Sequence, residues 1–216
     1  MTTRRPPKLD KKQVVETALR LLNEAGLDGL TLRAIAKELN VQAPALYWHF
    51  KGKQELLDEM ATEMYRRMVA GVRLAPEATW QERLLAVNRA LRAALLGYRD
   101  GAKVFSGSRF TGTEHALGLE TNLRALVEAG FTPAQAVRAL STASCFTLGF
   151  VTEEQGVEPV QGERREGYDI TERAARMSAF PLAAAAGAEL FQGYDEGFEE
   201  GLSLVIAGIG ARYRTP

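Results

Sequence analysis

Cysteine occurs once in this 216-residue chain, as Cys145, and histidine twice, as His49 and His115. A single cysteine excludes an intramolecular disulfide and fits a reducing, cytoplasmic compartment. So few imidazole and thiol groups leave no Cys/His spacing of a metal site. Neither a Ser-His-Asp grouping nor a Gly-rich phosphate loop occurs, so an enzymatic reading lacks support and no metal or cofactor is expected. Long apolar runs are missing as well. No stretch approaches the roughly 18 residues of a membrane span. The opening MTTRRPPKLDKK is basic without an apolar segment after it, so no signal peptide is expected.

Net charge is also absent, since 27 Lys and Arg balance 27 Asp and Glu. The balance hides an asymmetry. Residues 1–53 hold ten Lys or Arg against five Asp or Glu, leaving 17 against 22 for the rest. A head of about +5 therefore precedes a body of about −5, the distribution of a polyanion-binding module on an acidic partner domain. A basic terminus is also common in chains that bind nothing there. The hydrophobic share of 46% is that of a folded chain with a sizeable core.

Alternating strand patterns of useful length are lacking too, and the chain reads as all-α. Arg4, Arg5, Pro6, Pro7 and Lys8 describe an extended basic arm over residues 1–8. Asp10 is placed to cap a first helix whose apolar positions Val14, Val15, Ala18, Leu21 and Leu22 keep helical spacing until Gly26. Thr31 caps a short second helix that Asn40 ends. Pro44 sits in the first turn of a third, over about Gln42 to Trp48. A longer helix runs from Lys53 toward Gly71, and a Thr79 to Glu82 capping box opens the next. Further helices are expected over about 112–129, 133–155, 171–187 and 188–211, with a charged loop QGVEPVQGERREG between the second and third of these.

Two short helices joined by the dipeptide NV, with basic residues around the second, have the form of a helix-turn-helix, which sets its second helix in the major groove. A three-helix core that touches no DNA accounts for the same pattern. The run Tyr47, Trp48, His49, Phe50 and the charge asymmetry favour DNA. Trp48 and Phe50 are assigned to the core of the head, and His115, on a polar segment, to solvent. Cys145 reads as a small buried hydrophobe.

The segment GLDGLTLRAIAKELNVQAPALYWHFKGKQELLD closely resembles the DNA-binding head of the tetracycline-repressor family. LLGYRDGAKVFSGSR and LSTASCFTLGFVTEEQG resemble the ligand-binding body of the tetracycline repressors, so the likeness covers roughly residues 9–156. It implies a helix-turn-helix domain at 9–53, a helical-bundle domain for ligand binding and dimerisation at 54–216, and a homodimer on a palindromic double-stranded DNA operator. On the matching positions, Arg33 is the guanine-reading arginine, Pro44 and Tyr47 are apolar and phosphate contacts, and Lys53 lies near the backbone. His49 is either near phosphate or simply packed. Thr31 and Gln42 complete the DNA-facing set. Ala43 and Ala45 stand where the tetracycline repressors carry glutamine and threonine, which removes an adenine-reading amide worth about 1–3 kcal/mol of discrimination. A different operator is expected. The arm with Arg4 and Arg5 is either a minor-groove contact or a solubilising tail.

The same resemblance places Val69, Val87, Leu91, Phe105, Ser108, Arg109, Leu119, Asn122, Val137, Ser144, Cys145 and Glu153 at the ligand site. Phe105 replaces the metal-binding histidine and Cys145 a second pocket histidine. Val69 and Val87 replace the histidine and asparagine that grip the drug, with Asn88 one residue out of register. Leu91 replaces a phenylalanine, and Asn122 a glutamine. A phenyl ring cannot ligate magnesium, so the expected effector is a small apolar or aromatic molecule and not magnesium-tetracycline. Two other readings stand: a DNA-binding regulator whose apolar residues fill the body, and a helical module that answers to a protein partner. Glu153 meets either the ligand or Arg109.

Overall fold

The computed structural model describes residues 9–75 and 77–213. The basic arm, including Arg4 and Arg5, lies outside the described residues. Within them the chain forms eleven helices and no strand, with one isolated bridge between Val160 and Glu163.

In the head, Asp10 accepts a hydrogen bond from the Lys12 amide at 3.3 Å and starts α1 (Lys11–Gly29). Gly26 interrupts that helix at φ +68°, a conformation open to glycine at little cost. A Cβ there would lie 3.0 Å from the Asp100 carboxylate. Thr31 accepts the Ala34 amide at 3.1 Å and opens α2 (Leu32–Glu38), and Asn40, at φ 52°, ends that segment. After α3 (Ala43–Tyr47) comes the long α4 (Lys53–Gly71). Val14, Ala18 and Leu22 of α1, Ile35 of α2, Leu46 and Phe50 are fully enclosed with Leu56, Met60 and Met64 of α4. The head therefore has no core separate from α4.

The body contains α5 (Trp80–Leu96), α6 (Gly101–Ser106), α7 (Glu114–Glu128), α8 (Pro133–Val157), α9 (Ile170–Arg176), α10 (Pro181–Phe191) and α11 (Tyr194–Arg212). The expected Thr79 to Glu82 capping box is present, and Thr132 with Gln135 makes another at the start of α8. A second core of Leu84, Leu126, Ala139, Ala143, Phe198 and Leu202 joins α5, α7, α8 and α11. At the head end of the body, buried Gln155 of α8 accepts the Ala102 amide at 3.1 Å and donates to the Leu95 and Tyr98 carbonyls at 3.2 and 2.7 Å. One side chain thus satisfies orphan groups at the end of α5 and the start of α6.

Two expectations need correction. The helix expected over 171–187 is two helices, α9 and α10, because proline at 181 lacks an amide proton and drives Phe180 to φ −129°, ψ 78°. The last helix accordingly begins at Tyr194, after a left-handed Gly193 (φ 58°). In addition, YRDG does not simply end α5. It turns through left-handed Asp100 into α6, a helix of six residues held by Gln155.

The turn into α6 leaves no room at Gly101, where a Cβ would lie 2.2 Å from the Leu95 carbonyl oxygen. Gly101→Ala is expected to destabilise the protein by about 1–3 kcal/mol, the scale of a forced backbone shift. Urea unfolding checks this, and an unchanged midpoint would show that α5 yields freely.

Candidate functional site

The two helices of the head are fixed by their buried sides. Leu32, Ile35 and Ala36 anchor α2, and Leu46 anchors α3. What remains outward is the set expected to face DNA: Thr31, Arg33, Gln42, Pro44 and Tyr47 are exposed, with Ala43, Ala45 and His49 partly buried beside them. Trp48 is corrected here. It is 90% exposed and lines a surface cleft with Pro44 and Tyr47, whereas Phe50 is 0% exposed. The physical reason is length. A helix of five residues presents one apolar direction to the core, taken by Leu46, and the Trp48 ring at its C-cap falls outside. Lys53 is also engaged within the chain: its Nζ donates to the Leu27 carbonyl at 2.7 Å, tying the start of α4 to the end of α1.

Polar contacts bind the head to the body. The Leu27 amide donates to Asp100 at 3.0 Å, Asn23 donates to the Gly97 carbonyl at 3.3 Å, and Asn23 accepts the Arg99 amide at 2.9 Å. Burial opposes ionisation of Asp100, but the Leu27 amide and the Lys103 ammonium outweigh it and hold the carboxyl below its ordinary value. On α4, Arg67 reaches Glu16 of α1, Glu63 on its own helix and the Tyr98 hydroxyl beyond α5. The loop after α6 is tied to α4 in turn. Gln54 donates to the Gly107 carbonyl at 3.1 Å, Asp58 accepts the Arg109 amide at 3.0 Å, and Thr62 accepts the Thr111 amide at 2.8 Å.

The residues expected at the ligand site divide into groups. Leu91 is buried, and Val87, Phe105, Ser108, Asn122 and Ser144 are partly buried. Val69, Leu119 and Val137 are 40%, 48% and 51% exposed. The Ser108 hydroxyl is turned onto the Val104 carbonyl at 2.7 Å, and the Arg109 side chain is exposed. Cys145 is exposed, not enclosed as expected, because its position on α8 faces away from the second core. Cys145 and Glu153 line a different cleft, of about 400 Å³, with Phe146, Phe150 and Tyr194 against α11, and no other expected ligand residue joins them there. Asn88 is consumed by structure, donating to the Leu84 carbonyl and accepting from Thr147, both at 2.8 Å.

Around Phe105 stands a group of rings that the sequence reading missed. Phe105 meets Phe110 edge-on with centroids 5.3 Å apart, Tyr65 lies 4.8 Å from Phe110, and His115 lies 5.3 Å from it. His115 is partly buried, and its Nδ1 is enclosed without a hydrogen-bond partner among the described residues. The expectation of a solvated imidazole is thus corrected: the second position of α7 turns it onto Phe110. No helix among the described residues is long and apolar enough to cross a membrane.

Two family profiles cover the chain: "Bacterial regulatory proteins, tetR family" over residues 14–60 and "Tetracyclin repressor-like, C-terminal domain" over residues 74–213. The class A tetracycline repressor protein from transposon 1721 of Escherichia coli is 42% identical over 205 residues, spanning 95% of this chain and 92% of that protein. A possible TetR family transcriptional regulator from Streptomyces coelicolor A3(2) superposes with a TM-score of 0.81 at 38% identity, covering 94% of this chain and all (100%) of the other. A TetR variant from Acinetobacter baumannii AYE in complex with minocycline gives 0.76 at 36% identity, with 96% and 100% coverage. With head and body each matched and 95% of the length aligned, the chain belongs to the TetR family of bacterial regulatory proteins.

Proposed function

We propose that this TetR-family repressor binds a palindromic operator as a homodimer and is released from it by a small apolar or aromatic molecule, not by magnesium-tetracycline. The observation that carries the ligand class is Phe105. At the position that the family resemblance gives to a metal-binding histidine stands a phenyl ring packed on Phe110. A hard cation takes oxygen and imidazole donors, and a phenyl ring supplies neither. The described residues contain no group of three or more His, Cys, Asp or Glu placed to hold a metal. A magnesium-chelated drug does not fit these side chains.

The DNA reading is supported by the exposed set on α2 and α3, with Arg33 aimed outward and Ala43 and Ala45 in place of an amide and a hydroxyl. Two copies related by a two-fold axis match two half-sites about 34 Å apart. Coupling follows from the ties between α4 and the loop after α6. An effector that prefers one arrangement of that loop moves α4 and with it the spacing of the two heads, and by linkage operator binding weakens the effector equally. Selection from a random duplex library, followed by release assays on the selected site, tests both parts. The sites recovered are expected to differ from the usual tetracycline operator, and magnesium-tetracycline is expected to leave the complex intact. Release by the chelated drug would reject the proposed ligand class.

A further inference from the structure

The enclosed Nδ1 of His115 finds no hydrogen-bond partner among the described residues. A buried polar atom left without a partner is costly, so such atoms mark strain or a missing partner. His115 sits on α7 with its ring against Phe110, which in turn meets Phe105 and Tyr65. Its own carbonyl receives only a long contact, 3.4 Å, from the Tyr65 hydroxyl, and neighbouring Glu114 is held outside by Arg66. One turn further along α7, Gly118 leaves the helix bare. A Cβ there would strike the Tyr65 hydroxyl at 2.5 Å and would reach Val69 at 4.0 Å. The cluster therefore combines three aromatic rings in contact through Phe110, one of them the Tyr65 phenol, with one unsatisfied imidazole nitrogen.

We infer that His115 is the polar anchor of the effector site and that it selects aromatic ligands bearing a phenolic hydroxyl. The inference rests on the reading of Phe105 as a ligand-site residue and adds to it the functional group the ligand must carry. A neutral imidazole accepts a hydrogen bond at Nδ1 from a phenol, and Phe105, Phe110 and Tyr65 receive the ligand's ring edge-to-face. His115 thus brings to the cluster, from α7, a ring nitrogen able to accept a hydrogen bond from a donor.

The probes are 2-naphthol and its methyl ether, in which a methyl group replaces the donor proton while the ring system and its oxygen are kept. Binding is measured on the full-length dimer, with histidine ¹⁵N-labelled; with two histidines in the chain, His49 of the head serves as an internal reference. On saturation with 2-naphthol the His115 Nδ1 resonance is expected to shift while that of His49 stays in place. The methyl ether is expected to bind about tenfold more weakly, the scale of one hydrogen bond. His115→Phe is expected to bring 2-naphthol down to the affinity of the ether without changing the ether, and His115→Asn, which keeps an acceptor, to restore part of the difference. Circular dichroism and operator binding report whether each variant is folded. Equal affinities for the two probes, an unmoved His115 signal, absence of binding by either probe, or a His115→Phe protein that still discriminates would each overturn the assignment. Discrimination at His115 without operator release would uphold the assignment and instead reject the effector-release reading.

Discussion

Replacing Phe50 by alanine is expected to destabilise the protein by about 3–5 kcal/mol, the usual result of deleting a buried aromatic ring. Its ring is 0% exposed and belongs to the same enclosed cluster as Val14, Leu22, Ile35, Leu46 and Leu56. Lys11 lies over its face, 5.5 Å from the centroid. α3 has five residues, too few to hold its shape alone, so Phe50 and Leu46 are what fix its angle to α2. Loss of the ring is therefore expected to remove DNA binding together with stability. Urea unfolding followed at several wavelengths measures the first, and retardation of the selected duplex the second. Trp48→Ala supplies the contrast. With the indole 90% exposed, stability is expected to stay within about 0.5 kcal/mol. A loss as large as that of Phe50→Ala would mean that the indole is enclosed after all.

Arg33→Ala is expected to leave stability unchanged and to remove sequence-specific binding. The guanidinium is exposed in the first turn of α2, and no shielding of the core depends on it. A bidentate arginine on guanine contributes about 1–3 kcal/mol, and a dimer loses it in both half-sites, so a fall of about one and a half to four orders of magnitude is the expected scale. Titrations on the selected operator and on a scrambled duplex, at one fixed salt concentration, separate readout from general phosphate attraction. Unchanged affinity for the operator would reject the role given to Arg33. An equal fall on both duplexes would make it a phosphate contact.

The parts of this structure legible in the sequence are those decided within one turn of helix. Asp10, Thr31 and the Thr79 to Glu82 box each act on an amide two or three residues away, and each is found as read. Pro181 carried an equally local signal for the break between α9 and α10, which went unread. α6 was invisible for a different reason. Six residues show no periodicity, and what stabilises them is Gln155, more than fifty residues distant. At the site, the resemblance pointed to Phe105 because the residue it replaces has a known duty. His115 has no such counterpart, and only folding shows its ring against Phe110. The facing of Cys145 and Glu153 toward α11 depends on the rotation of α8 about its axis, a tertiary quantity that short windows of sequence do not report.

Met60 and Met64, 0% exposed against the underside of the head, bear on how regulators of this kind can be recombined. A chimera cut at Lys53 would carry the recognition surface but discard the floor it stands on, and the new host's α4 would have to present side chains of matching volume. Cutting beyond Met68 transfers the α4 part of that cluster, with Arg67, itself held by Glu63, in place to receive Glu16, and leaves Leu91, Leu95, Ala102, Val104 and Val151 to be matched by the new host. For exchange of operator specificity between relatives, the natural unit is therefore the four-helix piece ending near Gly71.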